Sequence, residues 1–348
     1  MHIIKTALLS YGMSGKVFHA PFIQSNPGFQ LVGAWERTKK NIENDYPGVT
    51  SYPTLEALLA DESIELVIVN TPNESHFDYA RKALLAGKHI VVEKAFTTTV
   101  KEGEELKVLA EKQNKKISVY QNRRYDSDLK TVAKVIADNV LGDIMEAEFH
   151  YDRFKPVVGP KVHKETAGPG AGLLMDLGPH LIDEALFIFG MPQALFADIR
   201  FTRPLTKVND CFDLLLYYPG MRVRLKATSF AREATPANVV QGTKGSFIKT
   251  RADVQEVDLI AGKKPGASDW GTEPVSDMGL LHTEKSGVVI RESIPSLQGN
   301  YGEYYLGVYQ ALTSDKPMPV TVDEGIRTIK IIEAAIKSDL EKMVIELL

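Results

Sequence analysis

The first 36 residues constrain the fold more than any other stretch. Ile3-Ile4-Lys5-Thr6-Ala7-Leu8-Leu9 is a short apolar run that reads as a buried strand, and it enters Ser10-Tyr11-Gly12-Met13-Ser14-Gly15. An amphipathic stretch follows from about Lys16, and a second strand, Gln30-Leu31-Val32-Gly33-Ala34-Trp35, ends on Glu36-Arg37. That order belongs to a dinucleotide-binding βαβ unit. The turn must be tight and its backbone must approach a pyrophosphate, so side chains are excluded where glycine sits. The helix start then offers free N–H groups and a positive dipole end to the phosphates. About 20 residues past the glycines an acidic group reaches the adenosine ribose, and Glu36 stands there. Ser10 occupies the place of the first glycine, a departure that bears on how firmly the turn is held. A plain surface turn, with Glu36 and Arg37 solvated, fits the glycines alone; the flanking strands and the spacing favour the βαβ unit.

The alternation continues. Thr54 can cap a short helix, Leu55 to Ala60, ahead of Leu66-Val67-Ile68-Val69, a strand apolar throughout as a parallel strand covered on both faces should be. The turn Asn70-Thr71-Pro72-Asn73 follows, then a helix with Phe77, Ala80 and Leu84 on one face, stopped by Gly87. His89-Ile90-Val91-Val92 runs into Glu93-Lys94, a helix covers roughly Val100 to Gln113, and Ile117-Ser118-Val119-Tyr120 is a further strand. Strands alternating with helices mean a doubly wound parallel sheet of Rossmann type, placed at residues 1–122. The pattern then changes. One helix carries Leu129, Val132, Ala133, Ile136 and Val140 on a face. Alternating strands follow, with hairpin turns at Pro219-Gly220 and at Gly242-Thr243-Lys244-Gly245. Residues 123–348 therefore read as an α+β domain with a large, mostly antiparallel sheet. Lys263 to Gly279, rich in Gly, Pro and Ser, reads as a mobile loop or an insertion.

Composition narrows the class. A chain of 348 residues is long for one core, and a net charge of −4 with no basic run argues against a nucleic-acid surface. The single cysteine, Cys211, excludes an internal disulfide and a thiolate metal cage. No apolar stretch approaches the roughly 18 residues of a membrane span, and the opening residues carry no leader pattern. The expectation is a cytoplasmic protein without membrane partners and without a metal.

Chemistry is expected beyond the carboxyl ends of the parallel strands: at Gly12, at Asn70-Thr71-Pro72 and at Glu93-Lys94. Lys94 there faces the cofactor crevice, although an exposed strand-end lysine fits the position equally. Asp176, His180 and Asp183 are spaced four and three apart, and Pro179 fits a helix only in its first turn, so a helix starting near Asp176 sets all three on one face. A carboxylate beside an imidazole fixes its tautomer and raises its pKa, as a general acid/base needs. The same residues also fit Asp176 as a helix cap and His180 as a packed histidine.

Four ordered motifs together resemble the Gfo/Idh/MocA oxidoreductases, the glucose–fructose oxidoreductase and inositol dehydrogenase family, over nearly the whole chain. They are the glycine turn with its Glu36, Thr71-Pro72-Asn73-Glu74-Ser75-His76, Ala86-Gly87-Lys88-His89-Ile90-Val91-Val92-Glu93-Lys94, and Asp176-Leu177-Gly178-Pro179-His180. The resemblance implies a nicotinamide-binding domain followed by a sheet domain carrying substrate contacts and oligomer surface. It matches Lys94 to the catalytic lysine of the family's Glu-Lys-Pro motif, and Asp176 and His180 to its acid/base pair. It also implies cofactor contacts for Ser10, Gly12, Met13, Ser14, Gly15, Glu36, Arg37, Thr71, Pro72, Asn73, His76, Glu93 and Lys94. Substrate contacts fall to Arg153, Arg124, Tyr125, Asp176 and His180. Ala95 replaces the proline that follows the lysine, where the family often has a cis peptide; this bears on how Lys94 is aimed.

The implied reaction is reversible hydride transfer between NAD(P) and a secondary alcohol of a sugar or polyol, inositol-like substrates included. His180 takes the hydroxyl proton and Lys94 stabilises the developing alkoxide. Asn122-Arg123-Arg124-Tyr125-Asp126 and Tyr151-Asp152-Arg153-Phe154 resemble a subgroup that includes NADP-dependent scyllo-inositol dehydrogenases. That likeness, with Arg37, Thr38, Lys39 and Lys40 after Glu36, points to NADP, NAD being the alternative. The alternatives are a cofactor-binding regulator, since the same fold serves transcription regulators, and an NAD-dependent glycosidase, since those enzymes also resemble the family. A homodimer or homotetramer through the C-terminal sheet is implied as well.

Overall fold

The computed structural model describes the whole chain except residues 1, 37, 160–164, 234, 252 and 348. Two compact units divide it. Met1–Asn122, Gln255–Trp270 and Asn300–Ile326 form the first; Arg123–Val254, Gly271–Gly299 and Arg327–Leu348 form the second. The chain thus returns twice to the first unit, which a single cut after residue 122 does not anticipate.

In the first unit six parallel strands are ordered β3-β2-β1-β4-β5-β6. They are β1 (Ile4–Leu8), β2 (Phe29–Trp35), β3 (Thr50–Tyr52), β4 (Leu66–Val69), β5 (His89–Glu93) and β6 (Ile117–Tyr120). Every residue of β4 and β6 is buried, because helices cover both faces of a doubly wound sheet. Thr54 Oγ1 accepts from Ala57 N and caps Leu55–Ala60, and a reciprocal capping box of Thr99 and Glu102 starts Val100–Lys112. The segments that return bring Tyr301, Tyr304 and Tyr305, all fully buried, against Phe22 and Tyr120. Tyr304 Oη donates to Ser118 Oγ at 2.8 Å, so a buried hydroxyl on each side is satisfied.

The second unit holds nine strands in the order β14-β13-β12-β11-β7-β10-β9-β8-β15. These are β7 (Ile144–His150), β8 (Ala194–Arg200), β9 (Cys211–Tyr218), β10 (Met221–Thr228), β11 (Asn238–Gly242), β12 (Gly245–Lys249), β13 (Gly279–Lys285), β14 (Val288–Ile294) and β15 (Ile345–Glu346). All neighbours are antiparallel except β7 with β10. The hairpin β9–β10 turns at Tyr218 and Met221, and Phe212, Leu214 and Leu216 alternate into the core opposite Ala227, Leu225 and Val223. The helix Gly178–Phe189 covers that apolar face over β7 and β10. The opposite face carries charge: Arg222 pairs with Glu146 and Arg224 with Asp213, beside Glu148, Asp198 and Phe196, along a groove of about 360 Å³.

The stretch from Lys263 to Gly279 is anchored rather than loose. Trp270 is buried in the first unit and its Nε1 donates to Gln255 Oε1 at 3.1 Å. Glu273 is buried in the second, paired with Lys249 and accepting from Ser296 Oγ. Its Gly and Pro content reads locally as loop, but these two side chains hold it down. Among the described residues, no helix is long and apolar enough to cross a membrane.

Candidate active site

In the first unit the ends of β1, β2 and β4 frame a cleft of about 450 Å³. It is lined by Ser10, Gly12, Trp35, Glu36, Thr38, Lys39, Thr71, Pro72 and Tyr79, among others. Ser10 does not loosen the turn in place of a glycine. Asn70 accepts from Ser10 N through Oδ1 at 3.0 Å and donates to Ser10 O through Nδ2 at 2.8 Å, while Ser10 Oγ accepts from Gly12 N at 3.2 Å. The two glycines differ in what demands them. A Cβ on Gly15 would come within 2.2 Å of Ser10 O, so the turn itself requires it. A Cβ on the exposed Gly12 would meet Ser10 Oγ alone, at an ordinary 3.4 Å. Among the described residues nothing crowds a side chain at 12, so the turn is open there to a ligand such as a pyrophosphate. By that measure the cleft fits a dinucleotide. Exposed Met13 sits beside it on the same turn.

The helix after the turn begins irregularly. Gly15–His19 forms a π-type turn, with Ala20 N bonded to Gly15 O, before the α-helix Ala20–Ser25. Pro21 has no N–H to offer the preceding turn, and the wider turn accommodates that. His19 is thereby buried, with Nε2 3.0 Å from Glu93 Oε1 and Nδ1 2.6 Å from Tyr305 Oη.

Glu36 holds main chain at the edge of the cleft. Its carboxylate accepts from Asn41 N at 3.2 Å, Ile42 N at 3.1 Å and Ser51 Oγ at 3.3 Å, which caps the short helix Asn41–Asp45. Arg37 lies outside the described residues. At the end of β4, Thr71 Oγ1 accepts from Ser75 Oγ, and half-buried Asn73 opens the turn into the helix His76–Leu85. His76 was expected at the cofactor, but its ring is fully buried between two main chains, Nδ1 2.7 Å from Ala95 O and Nε2 2.8 Å from Thr71 O. A neutral ring can donate to only one of these carbonyls, and burial, which lowers its pKa, opposes the second proton.

At the end of β5, Glu93 also faces inward. Oε1 accepts from Ser14 Oγ at 2.6 Å and is paired with His19; Oε2 accepts from Lys94 N at 3.1 Å. Burial alone would raise the carboxyl pKa, but the hydrogen bond and charge of His19, the bond from Ser14 and the charge of Lys94 outweigh it and bring it down to about 2. Lys94 itself is half-buried at the strand end, and the Lys94–Ala95 peptide is cis although no proline is present.

In the second unit Asp176 and His180 fall on either side of a bend. Asp176 ends the short helix Leu173–Asp176, and His180 lies in the first turn of Gly178–Phe189, with Leu177 between. Pro179 cannot donate to the carbonyl four residues back, so the helix is interrupted where a continuous one starting at Asp176 was expected. The N-cap positions of the two helices are Gly172 and Leu177, not Asp176. Asn209 tethers the start, accepting from Leu173 N through its carbonyl at 2.7 Å and from Leu174 N through Oδ1 at 2.8 Å. Asp183 takes Arg124: the guanidinium donates to it through Nε and Nη2, both at 2.7 Å, and lies 4.9 Å above the Phe187 ring. Arg124 is thus buried and committed, while Tyr125 stays half-buried next to it.

The Tyr151 ring is the common neighbour on this side. Arg153 lies 4.9 Å above it, Arg251 4.8 Å and the His180 ring 6.5 Å away. Glu184, just past Asp183, binds Arg251 through two hydrogen bonds of 2.8 Å. Sequence reading placed Asn70 at a strand end without giving it a contact of its own, and passed over His19, Tyr151 and Arg251 as site residues. For Asn70 the signal was present, a polar residue ending a wholly apolar strand; for the others no local pattern marks them.

Residues 4–121 match the family described as "Oxidoreductase family, NAD-binding Rossmann fold", and residues 133–347 match "Oxidoreductase family, C-terminal alpha/beta domain", the two parts of Gfo/Idh/MocA proteins. The chain is 37% identical over 344 residues to the scyllo-inositol 2-dehydrogenase (NADP(+)) IolW of Bacillus subtilis, covering 99% of this chain and 96% of that one. It is 37% identical over 335 residues to the uncharacterised oxidoreductase YdgJ of Escherichia coli, with 96% of each covered. The solved structure of YvaA from Bacillus subtilis superposes with a TM-score of 0.95 at 37% identity, over 99% of both chains.

Proposed function

Because the chain belongs to the Gfo/Idh/MocA oxidoreductase family, we propose that it moves a hydride reversibly between NADP and a secondary alcohol of a sugar or polyol, inositol-like rings included. The observation that supports this is the first-unit cleft, whose glycine turn is open at Gly12 and leaves room for a pyrophosphate. The likeness to the inositol dehydrogenase supports the alcohol.

Bound nicotinamide supplies the hydride acceptor or donor. The chain's own residues do the rest. The turn around Gly12 to Gly15 offers main-chain N–H groups to the pyrophosphate. Lys94 places a positive charge and a donor against the oxygen that gains charge as the C–H bond breaks. His180 takes the hydroxyl proton at an imidazole nitrogen, and Asp176 favours the imidazolium that results. Arg153 is the stronger substrate contact of the two arginines, since Arg124 is spent on Asp183. The preference for NADP rests on the cations that follow Glu36 and on the likeness to an NADP-dependent relative; the Glu36 carboxylate, turned onto Asn41 N, Ile42 N and Ser51 Oγ, has fewer lone pairs left for ribose hydroxyls. Thr38 and Lys39 line the cleft beside it. The charged open face of the second-unit sheet is the surface we assign to a dimer or tetramer, and one cysteine with no disulfide suits the cytoplasm.

A panel of polyols and sugars, followed at the nicotinamide absorbance with each cofactor, tests the reading. Oxidation of at least one ring polyol is expected, with kcat/KM higher for NADP; a tenfold preference for NAD would sink the cofactor assignment. Arg37→Ala should weaken NADP by roughly 1.5–3 kcal/mol, the range for a charged hydrogen bond, and leave NAD nearly untouched. Turnover of a glycoside without net nicotinamide change would replace the dehydrogenase by a glycosidase.

A further inference from the structure

We infer that His19 is a positioning residue: through the buried Glu93 carboxylate it ties the Ser14 side of the cofactor turn to the main chain of Lys94. The inference rests on the reading that this turn holds a dinucleotide and that Lys94 acts next to it.

Glu93 is the junction. One oxygen accepts from Ser14 Oγ and meets His19 Nε2; the other accepts from Lys94 N. A carboxylate has no proton to donate, so all three partners must be donors. That puts a proton on His19 Nε2, and Nδ1 stands 2.6 Å from Tyr305 Oη. Tyr305, His19 and Glu93 thus form one continuous hydrogen-bonded chain. His19 is also fixed in plane, its ring 4.5 Å from the Tyr120 ring, whose hydroxyl donates to Phe18 O at 2.9 Å. Neither His19 nor Tyr305 is exposed to solvent. The other charged or titratable groups around the carboxylate are Lys94, next in the chain, and His76 from the helix His76–Leu85, beside the Tyr305 hydroxyl from the helix Gly302–Thr313.

The link has a chemical consequence. Without the His19 donor, burial dominates at Glu93 and its carboxyl gains a proton at a higher pH. A protonated Glu93 turns one acceptor oxygen into a donor, which cannot serve both Ser14 Oγ and Lys94 N as before. Loss of His19 should therefore weaken the cofactor turn in acid and leave it nearly intact in base.

The test is the dissociation constant of NADPH between pH 8 and pH 5, expressed as the ratio of variant to wild type so that titration of the cofactor itself cancels. For His19→Phe, which keeps the ring in the core, the ratio should stay within about threefold at pH 8 and exceed about tenfold at pH 5, since one proton lost or gained per pH unit is a factor of ten. His19→Gln, whose amide can still donate to Glu93, should stay flat. Glu93→Gln, neutral at every pH, should be weakened at least tenfold throughout. Ser14→Ala leaves the core alone and should cost about three- to tenfold, one hydrogen bond's worth. It decides the matter should His19→Phe fail to fold. A flat ratio for folded His19→Phe, a His19→Gln profile like that of His19→Phe, or unaltered binding by Ser14→Ala would overturn the inference. Absence of NADPH binding by wild type would instead overturn the functional reading beneath it.

Discussion

The first unit's strand ends and the second unit's helix start are built by different means. At the strand ends, polar side chains hold main chain. Asn70 grips both the N–H and the carbonyl of Ser10, Glu36 caps Asn41 and Ile42, and His76 sits between two carbonyls. Around the His180 helix, charged side chains hold each other: Arg124 with Asp183, Arg251 with Glu184, and Arg123 with Asp126 and Asp253. A main-chain site sets the path of the backbone and presents N–H groups to whatever binds. A side-chain site sets shape and charge, and so selects among substrates.

The largest effect expected on either side is chemical. Lys94→Ala, or His180→Ala, should lower kcat by on the order of 10²–10⁴ with NADPH affinity little changed, as for a charge-stabilising or acid/base group. Wild-type turnover by both variants would put the chemistry elsewhere.

Next comes the ion-pair side. Arg124→Met leaves the Asp183 carboxylate buried without its partner and should destabilise the protein by about 3–5 kcal/mol. Arg124→Met combined with Asp183→Leu should recover most of that in urea unfolding. A double variant as unstable as the single would show that the pair is not what holds this helix.

The main-chain side predicts a smaller loss of a different kind. Asn70→Ala removes two hydrogen bonds to Ser10 and should weaken NADPH binding by roughly 1–3 kcal/mol, at about 0.5–1.5 kcal/mol each. Isothermal titration measures it directly. Unchanged affinity would mean that Ser10 is held by the turn alone.

The smallest effect sharpens the contrast within the cofactor cleft. Glu36→Gln keeps an acceptor oxygen for the Asn41–Asp45 helix, so the ratio of kcat/KM for NADP over NAD should move by less than about threefold, one weak hydrogen bond. A tenfold rise towards NADP would mean that the carboxylate does face the ribose.

The first unit was the more legible of the two. Its strands and helices follow the apolar runs closely, from Leu55–Ala60 to Val100–Lys112, and the glycine turn lies where the motif puts it. The hairpin at Pro219-Gly220 was legible for the same reason, since Phe212, Leu214 and Leu216 alternate with period two. The bend at Leu177 was half legible: Pro179 announced a first turn, but the short helix before it depends on Asn209, 35 residues on. Asp183 misled. Its spacing from His180 is that of a shared helix face, yet its carboxylate answers to Arg124, 59 residues earlier. The same is true of Trp270 and Glu273 in a stretch whose composition reads as loop.

By itself the sequence determined the alternation of elements, the parallel and antiparallel sheets and the strand-end positions of Gly12, Asn70 and Lys94. Those follow from periods of two and 3.6 residues, from the φ,ψ freedom of glycine and from the fixed φ of proline, all of which act between near neighbours. The tertiary structure decided which group each buried polar atom meets: Glu93 on Ser14 and His19, His19 on Tyr305, Asp183 on Arg124. Such choices depend on distance in space and on the loss of water around the charge, and neither quantity is written in the order of residues along the chain.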